Sequence, residues 1–364
     1  MRNETKQKFN AYMARVAELN GITTNDVKEE FTVTPSVEQK LMEKVLKSSN
    51  FLQWINVVRD PLMEGEIVGL DVSAAIASTT DTDKEERQTK AISNLTSRRF
   101  KCEQVDFDTH IAWRKLDQWA KHPDFQQKLA NMTQKTVALN LIMMGFNGVK
   151  RAAKSNLTAN PRLEDVKKGW LQQLREDVPE RVMNGASTGG KIKVGSFQSY
   201  DEQGNKVKDK GYENLDALVM DAVNSLIDDV YADDTDLVVI CGREVLNDKY
   251  FQMVNDDLKP SENLASQLII SQKQIGGLKA VRVPFFPKNA MLITRLDNLS
   301  LYIQEGSMRR FIINNPKRNR IEDFLSQNID YKVEEYGCAA LIEKIELEDL
   351  PDPRVKPQAN SQGN

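Results

Sequence analysis

The sequence predicts a mixed α+β fold with a projecting hairpin, a long helical rod and an α/β layer. Three observations support this prediction. Apolar residues recur at three- and four-residue steps over residues 125–143, which indicates a long amphipathic helix. Residues 78–89 form a polar run with no apolar side chain to anchor it, as in the tip of an exposed loop. Beyond residue 212, helical and strand patterns alternate, which is typical of an α/β layer.

The chain begins with two amphipathic helices joined by a polar hinge, residues 23–30. The first helix ends at Asn20-Gly21, a common stop signal. The second begins at Pro35 with Thr34 as its cap, because proline suits the first helical position. Their apolar stripes, each of which needs a partner, consist of Phe9, Tyr12, Val16 and Leu19 in the first helix and of Val37, Leu41, Met42, Val45 and Leu46 in the second.

From Asn50 onward the sequence predicts an arm that runs into a hairpin. Residues 51–58 are apolar and β-prone, and residues 66–72 alternate loosely between apolar and small side chains. The polar run 78–89 is the predicted tip, and residues 100–113 are the predicted return strand. One face of that strand would carry Val105, Phe107, Thr109, Ile111 and Trp113.

A rod-like helix is predicted from a cap near Asp124 to Gly145. At 1.5 Å per residue its roughly 20 residues would span about 30 Å. A shorter helix, with apolar positions from Val166 to Val178, ends at Pro179. Residues 184–211 are rich in Gly, Lys and Ser and form the clearest internal boundary.

The α/β layer follows this boundary. A helix is predicted over residues 215–227, and a buried strand over 237–241 turns at Gly242 into a further helix. Further strands are predicted over 280–283, 291–294, 299–303, 311–313 and 339–345, and the proline-containing tail 351–364 is predicted to be disordered.

Composition excludes several classes of protein. Fifty Lys and Arg against 53 Asp and Glu give a net charge of −3, so no field of one sign favours dedicated DNA or lipid binding. The longest apolar stretch, near residues 141–146, is far shorter than the roughly 20 residues that cross a bilayer. Without a secretory signal, the protein is expected to stay in the cytoplasm where it is made. Cys102, Cys241 and Cys338 are scattered and read as structural thiols of a reducing compartment.

Two loop motifs resemble ligand sites but fail at a required position. Gly185, Gly190 and Lys191 match a phosphate-binding loop, yet Ile192 stands where Ser or Thr must bind magnesium. The start of a calcium loop is imitated by Asp81, Asp83 and Glu85, but Glu86 replaces the required glycine and Ile92 the required carboxylate.

Other polar residues also favour structural roles. The acidic cluster Asp228, Asp229, Asp233, Asp234 and Asp236 flanks a helix end and a strand start, where carboxylates usually remain in water. His110 and His122 have no ligand spacing to Cys or to each other, and no Gly-x-Ser-x-Gly elbow occurs. We therefore predict no cofactor, no metal and no catalytic residue.

One local pattern supports an alternative function. A buried strand followed by glycine and a helix can bind anions at the helix N-terminus. Residues 237–246 have this pattern. The alternative is a cytoplasmic α/β ligand-binding enzyme that uses this strand–loop–helix.

Several segments of the sequence resemble the major capsid proteins of Peduovirus-type tailed phages. The resemblance runs in collinear order from Met1 to about Leu347. The matching segments are Glu4-Thr5, Phe9 to Tyr12, Arg15 to Gly21, Phe31 to Val33, Ser78 to Thr82, Gly145 to Arg151, Leu215 to Ala222 and Pro287 to Leu292.

The resemblance implies the Hong Kong 97 type of capsid fold and a division of the chain into six parts. These parts are a helical pro-segment (1–31), an N-terminal arm with an extended hairpin loop (32–113), a peripheral domain with a long spine helix (114–211), an axial domain (212–320), a return to the peripheral domain (321–350) and a disordered tail (351–364).

The resemblance also implies a function, that of a subunit that self-assembles into pentamers and hexamers of an icosahedral head shell enclosing phage DNA. Its expected partners are further copies of itself, scaffold protein, a maturation protease, the portal protein and, non-specifically, packaged DNA, with no membrane. Shells would assemble in the host bacterial cytoplasm, and the protease would cut near Phe31 and Thr32.

Two hypotheses about packing follow from this reading. The apolar stripe of the first helix would pair transiently with another chain or with scaffold. The arm and hairpin, residues 50–113, would become stable only when neighbouring copies cover them.

Overall fold

The computed structural model describes residues 1–67, 77–87, 89, 98–119, 125–185, 190–195, 198–200, 206–208, 211–243, 245 and 274–347. Within these residues the helices are α1 (Asn3–Asn20), α2 (Pro35–Lys47), α3 (Asn50–Trp54), α4 (Trp113–Trp119), α5 (Phe125–Asn147), α6 (Trp170–Asp177), α7 (Leu215–Leu226) and α8 (Asp229–Ala232). The strands of the first sheet are β1 (Phe31–Thr32), β2 (Asn56–Asp60), β5 (Glu103–Asp106), β6 (Thr109–Ala112), β15 (Leu299–Gln304), β16 (Arg309–Asn315) and β17 (Arg320–Val333). Those of the second sheet are β7 (Val182–Met183), β11 (Leu237–Cys241), β12 (Gln274–Ile275), β13 (Leu278–Arg282), β14 (Met291–Arg295) and β18 (Ala339–Ile342). Three two-stranded pairs complete the list, formed by β3 (Glu64–Ile67) with β4 (Arg98–Lys101), β8 (Ile192–Val194) with β19 (Ile345–Leu347), and β9 (Gln198–Tyr200) with β10 (Lys206–Lys208).

The first sheet is organised around β17, a strand of 14 residues. It pairs antiparallel with β15, β16, β5 and β6, while β2 joins β15 in parallel and β1 lies at the outer edge of β16. Sequence patterns did not predict β17, because buried polar residues such as Gln327 and Asp330 interrupt its apolar alternation.

The main core lies where α5 and α6 pack against this sheet. Trp170 is fully buried, and its ring meets those of Phe146 and Tyr331 edge to face, each at 5.0 Å. The indole Nε1 donates to the Ser300 carbonyl at 3.0 Å, and the Tyr331 hydroxyl donates to the Leu141 carbonyl at 2.8 Å. The polar tips of these large rings are therefore satisfied inside the core.

The second sheet has the order β12-β13-β11-β14-β18-β7, with β11 parallel to β13 and antiparallel to β14. Helix α7 covers it with Leu215, Leu218, Val219 and Ala222, and the Asn214 side chain caps the helix by accepting from the Ala217 N–H at 2.8 Å. This is the α/β layer that the sequence predicted.

Several elements follow the sequence prediction closely. Helix α1 ends at Gly21, which adopts a left-handed φ of 66°, and Thr34 and Pro35 open α2. Helix α5 has 23 residues, so at 1.5 Å per residue it spans about 35 Å. The expected start of this helix near Asp124 and residue His122 lie outside the described residues.

Other predictions were wrong in detail. Residues 51–58 were expected to be extended, but Phe51 and Leu52 lie in α3 and bury their side chains, and only β2 is a strand. The single return strand 100–113 is divided among β4, β5 and β6, and Trp113 begins α4. The segment 184–211, which was predicted as an internal boundary, contains β8, β9 and β10. The last predicted strand breaks at Lys344, whose φ is 58°.

Candidate assembly surfaces and processing site

The predicted cleavage residues form β1, a two-residue strand at the edge of the first sheet. Phe31 is opposite Arg310 and Thr32 opposite Arg309 of β16. The Phe31 side chain is buried, whereas Thr32 is exposed. A protease reads an extended backbone, and the outer side of an edge strand offers unpaired N–H and C=O groups for that purpose. The Phe31-Thr32 bond is thus in an extended conformation at the margin of the sheet.

The hinge before this bond is held mainly by short local contacts. The Asp26 carboxylate accepts from the Thr23 hydroxyl and from the Thr23 N–H, both at 2.8 Å, and these bonds lower the pKa of Asp26. An exposed ion pair of 3.3 Å joins Glu30 to Arg309. Surface ion pairs contribute at most about 1 kcal/mol to stability. The burial of Val27 is therefore the main contact that holds the hinge on the body.

Helix α1 packs on the body of its own chain. Its side chains Phe9, Met13, Val16 and Ala17 are buried in the main core cluster. A cavity of about 80 Å³ separates part of the helix from α2, α5 and the first sheet. In this structure the stripe is therefore covered by its own chain, and its transient pairing with another chain or with scaffold stays a prediction. Leu19, which was assigned to the stripe, is 48% exposed.

A half-buried arginine connects α1 to the first sheet. The Arg310 guanidinium donates to the Tyr12 hydroxyl at 2.8 Å and to both oxygens of Asp323 at 2.9 and 2.7 Å. Charge-assisted bonds of this kind are stronger than neutral ones. Because Arg310 and Asp323 neutralise each other, a charge can be kept beneath the helix.

The described ends of the arm and hairpin are also packed on their own chain. Val57 of β2 is paired with Leu301 of β15, and Val105 of β5 with Gln327 of β17. Phe51 and Phe107 lie in the main core. The hypothesis that all of residues 50–113 depends on neighbouring copies is therefore wrong for 51–67 and 98–113.

The base of the hairpin has a small core of its own. The rings of Phe100 and Tyr302 stack at 4.5 Å, beside the buried residues Ile67 and Cys102. A Cβ at Gly65 would lie 2.7 Å from the Phe100 ring, so only glycine permits this contact. The base is consequently well packed where β3 pairs with β4.

A buried charge cluster connects this base to the body of the subunit. The Lys167 ammonium lies 2.7 Å from Glu103 Oε2 and 3.1 Å from Asp330 Oδ1, and it donates to the Lys101 carbonyl at 2.9 Å. The other Asp330 oxygen accepts from the Lys101 N–H at 2.9 Å. Burial raises the pKa of Glu103, but Lys167 and Arg151 outweigh burial and hold it below its usual value.

The hairpin tip is solvated over its described part, as predicted. Residues 77–87 expose every side chain except the half-buried Thr80. Asp81 pairs with Lys84 at 2.8 Å and accepts from the Asp83 N–H, so its carboxylate is engaged locally. Residue Ile92 of the failed calcium motif lies outside the described residues.

The remaining candidate residues make structural contacts. Lys191 of the phosphate-loop match pairs with Glu346 at 2.7 Å, and Ile192 is buried in β8. In the acidic cluster, Asp228 pairs with Arg181 at 2.6 Å and Asp234 with Arg295 at 3.2 Å. Across the described residues, no three His, Cys, Asp or Glu side chains converge as metal ligands.

The turn at Gly242 is filled by neighbouring backbone. The Gly242 N–H donates to the Ala290 carbonyl at 3.2 Å, and a Cβ there would lie 2.3 Å from the carbonyl oxygens of Pro287 and Lys288. Carbonyl oxygens at this turn disfavour an anion, so the glycine is required for packing. His110 is exposed on β6 opposite Glu322.

Sequence reasoning missed two charge sites, Lys167 with Asp330 and Arg310 with Asp323. Lys167 and Asp330 are far apart in the sequence, so no local pattern indicates their contact. Arg310 and Asp323 lie on the paired strands β16 and β17, and their contact was missed because β17 was not predicted. In the described residues no helix is long and apolar enough to cross a membrane.

Comparison with known proteins places this geometry in a family. The family model described as "Phage major capsid protein, P2 family" matches residues 8–345. A curated relative, "Capsid proteins" of Escherichia phage P2, is 50% identical over 360 residues, which cover 97% of this chain and 98% of the relative. The "Major capsid protein" of Serratia phage KSP20 is 35% identical over 349 residues, covering 95% and 97%.

A solved structure gives the same result. A chain from the structure titled "Satellite phage P4 procapsid including size determination (Sid) protein" superposes with a TM-score of 0.76 and 46% identity, covering 96% of this chain and 99% of that one. Fold and packing thus define a shell-building subunit with the Hong Kong 97 type of fold. The chain belongs to the P2 family of phage major capsid proteins and forms the icosahedral head shell of the virion.

Proposed function

We propose that this capsid protein assembles into pentamers and hexamers, and that residues 1–31 are removed by a phage protease at the Phe31-Thr32 bond. The placement of this bond in the edge strand β1 supports the proposal most directly. A cut there severs a two-residue strand and leaves α2 and the main part of the first sheet continuous. Scaffold, protease and portal proteins are the proposed partners in assembly, with packaged DNA in non-specific contact.

We also propose how the shell contacts are divided over the chain. The peripheral part comprises the first sheet with α5 and α6, and the axial part comprises the second sheet with α7. Strands β15 and β16, which fall within the predicted axial range 212–320, share the first sheet with β2 and β17. The solvated loop 77–87 on a well-packed base is suited to contact a neighbouring copy, and repeated contacts of this kind close into rings.

Catalysis has no part in this proposal. The turn that carried the enzyme alternative, at Gly242, is occupied by the carbonyl oxygens of Pro287 and Lys288. The three cysteines are buried. The proposed role is therefore purely structural.

The intact mass of the capsid protein from purified particles tests the processing step. We expect a chain that begins at Thr32. A mass that corresponds to Met1 would refute cleavage at this bond. Co-expression with scaffold, followed by negative-stain microscopy, tests assembly separately, since closed shells are expected whether or not the protease is present.

A further inference from the structure

We propose that residues 1–31 stay bound to the mature subunit after the Phe31-Thr32 bond is cut, as a non-covalent peptide in the groove that α1 occupies. The inference rests on the proposed cleavage but goes beyond it. It assigns a peptide-binding groove to the body of the subunit, with the former pro-segment as its ligand.

The groove has the character of a helix-binding site. On the ligand side, Phe9, Met13, Val16 and Ala17 are each at most 6% exposed. Amphipathic helices bind partner proteins through the same arrangement, with apolar anchors at positions i, i+4 and i+7. Apolar residues from α2, α4, α5 and the first sheet line the cavity beneath the helix, namely Leu41, Val45, Leu116, Val137, Ile312 and Ile321.

Polar contacts fix the helix at three points along its length. At its start, the Arg2 N–H donates to Asp117 of α4 at 2.9 Å. In its middle, the Tyr12 hydroxyl accepts from Arg310 at 2.8 Å. At its end, Asn20 accepts from the N–H and the hydroxyl of Thr34 at 3.1 and 3.2 Å.

None of these contacts depends on the Phe31-Thr32 bond. All of them join the segment to residues that remain in the body after the cut. Cleavage removes the covalent tether but neither the apolar anchors nor the hydrogen bonds. Loss of the peptide would expose buried side chains on both walls of the groove, which opposes release.

The new chain ends favour retention as well. Phe31 and Thr32 lie opposite Arg310 and Arg309. The cut places a carboxylate on Phe31, at the end of the peptide, near cationic Arg309, which already pairs with Glu30. It places an ammonium on Thr32, at the start of the body. Charge therefore attracts the peptide end to the sheet and repels the body end from it.

The test uses the full chain with a recognition sequence for a site-specific protease inserted directly after Phe31, so that the cut peptide contains residues 1–31. Unassembled subunit is cut in vitro and analysed by gel filtration and native mass spectrometry. We expect peptide and body to travel together at one to one and to separate only in denaturant. A peptide that elutes freely at micromolar concentration would overturn the proposal, as would a body that dimerises through the vacated groove.

Two matched variants measure the contribution of the groove contacts. Tyr12→Phe removes only the hydroxyl that Arg310 binds, so we expect the peptide to dissociate about tenfold more readily. Leu19→Ala alters an exposed position of the same helix and should leave dissociation unchanged. Equal behaviour of the two variants would contradict the assigned groove. Because the inserted site replaces the phage protease, these results are independent of whether natural particles are processed at Phe31.

Discussion

The substitution Lys167→Met tests the charge cluster that fastens the hairpin base. Lys167 is 5% exposed and neutralises Asp330, which is 4% exposed, and Glu103, which is half-buried. Methionine replaces the aliphatic part of the side chain and removes the ammonium group with its charge. It leaves a buried carboxylate without its cation, and removal of one partner of a buried pair costs about 3–5 kcal/mol.

We expect the lower end of this range, about 3 kcal/mol, because Asp330 retains two other contacts. Its Oδ2 accepts from the Lys101 N–H at 2.9 Å and lies 3.4 Å from the Lys332 ammonium. A loss of about 3 kcal/mol lowers the ratio of folded to unfolded protein roughly a hundredfold. Urea unfolding of unassembled subunit at fixed low protein concentration measures it, since assembly would otherwise add to the apparent stability.

The neighbouring substitution Lys168→Met is the control. Lys168 pairs with Glu176 at 2.6 Å and with Asp177 at 3.4 Å, but all three side chains are at least one-third exposed. Its loss should cost less than about 1 kcal/mol. If Lys167→Met were no more damaging than Lys168→Met, the cluster would not stabilise the hairpin base and the reasoning would fail.

The effect of Lys167→Met should also depend on pH. The pKa of Glu103 is lower in the folded protein than in the unfolded chain, so its contribution to stability is present above the unfolded value, near 4.3, and is lost as pH falls through the folded pKa. Methionine removes the cation that lowers this pKa. The difference between wild type and variant should therefore diminish in acid, and a difference that grows below pH 4 would refute this account.

The remaining predictions concern packing and thiol chemistry. Gly145→Ala should destabilise the subunit by about 1–2 kcal/mol in thermal or urea unfolding, although alanine favours helices, because the new Cβ would lie 2.3 Å from the Trp170 ring. Thr136→Ala, at an exposed position of the same helix, should change stability by less than about 0.5 kcal/mol, and equal effects would contradict the packing argument. Burial raises the pKa of Cys102 and of Cys241 to about 12 and that of Cys338 to about 11. At pH 8 a thiol-specific disulfide reagent should therefore find no reactive thiol in folded subunit and three in urea, and rapid labelling of native protein would disprove the placement of these cysteines.

Helices were predictable here because their signals are local. The stripe in α1, the Thr34-Pro35 start of α2 and the amphipathic α7 each lie within one short window of sequence. The strand β17 was not predictable in the same way. Its buried Gln327 donates to Glu38, to the Gln304 carbonyl and to Ser307, and these partners are far away in the sequence.

The same difference between local signals and contacts of distant residues applies to the functional features. The exposed hairpin tip could be predicted from composition, since a polar run cannot bury itself. The cluster around Lys167 could not, because Glu103 is 64 residues away and Asp330 lies on a different strand. Nothing in the residues at Phe31 and Thr32 marks a cleavage site, and only resemblance to a family indicated it. The packing of α1 on its own chain depends on tertiary contacts, which is why its apolar stripe alone could not indicate where it packs.

The proposed position of the processing bond meets two opposing requirements. The pro-segment must fold with the subunit, and α1 meets this requirement by burying Phe9, Met13, Val16 and Ala17. The bond must also be reached in an extended conformation, and a cut within α1 or α2 would require unwinding a helix whose apolar side is buried. Between them lie residues 21–34, which contain the edge strand β1. A bond there can be cut while the core contacts on either side remain in place, so the proposed cleavage would separate covalent attachment from binding.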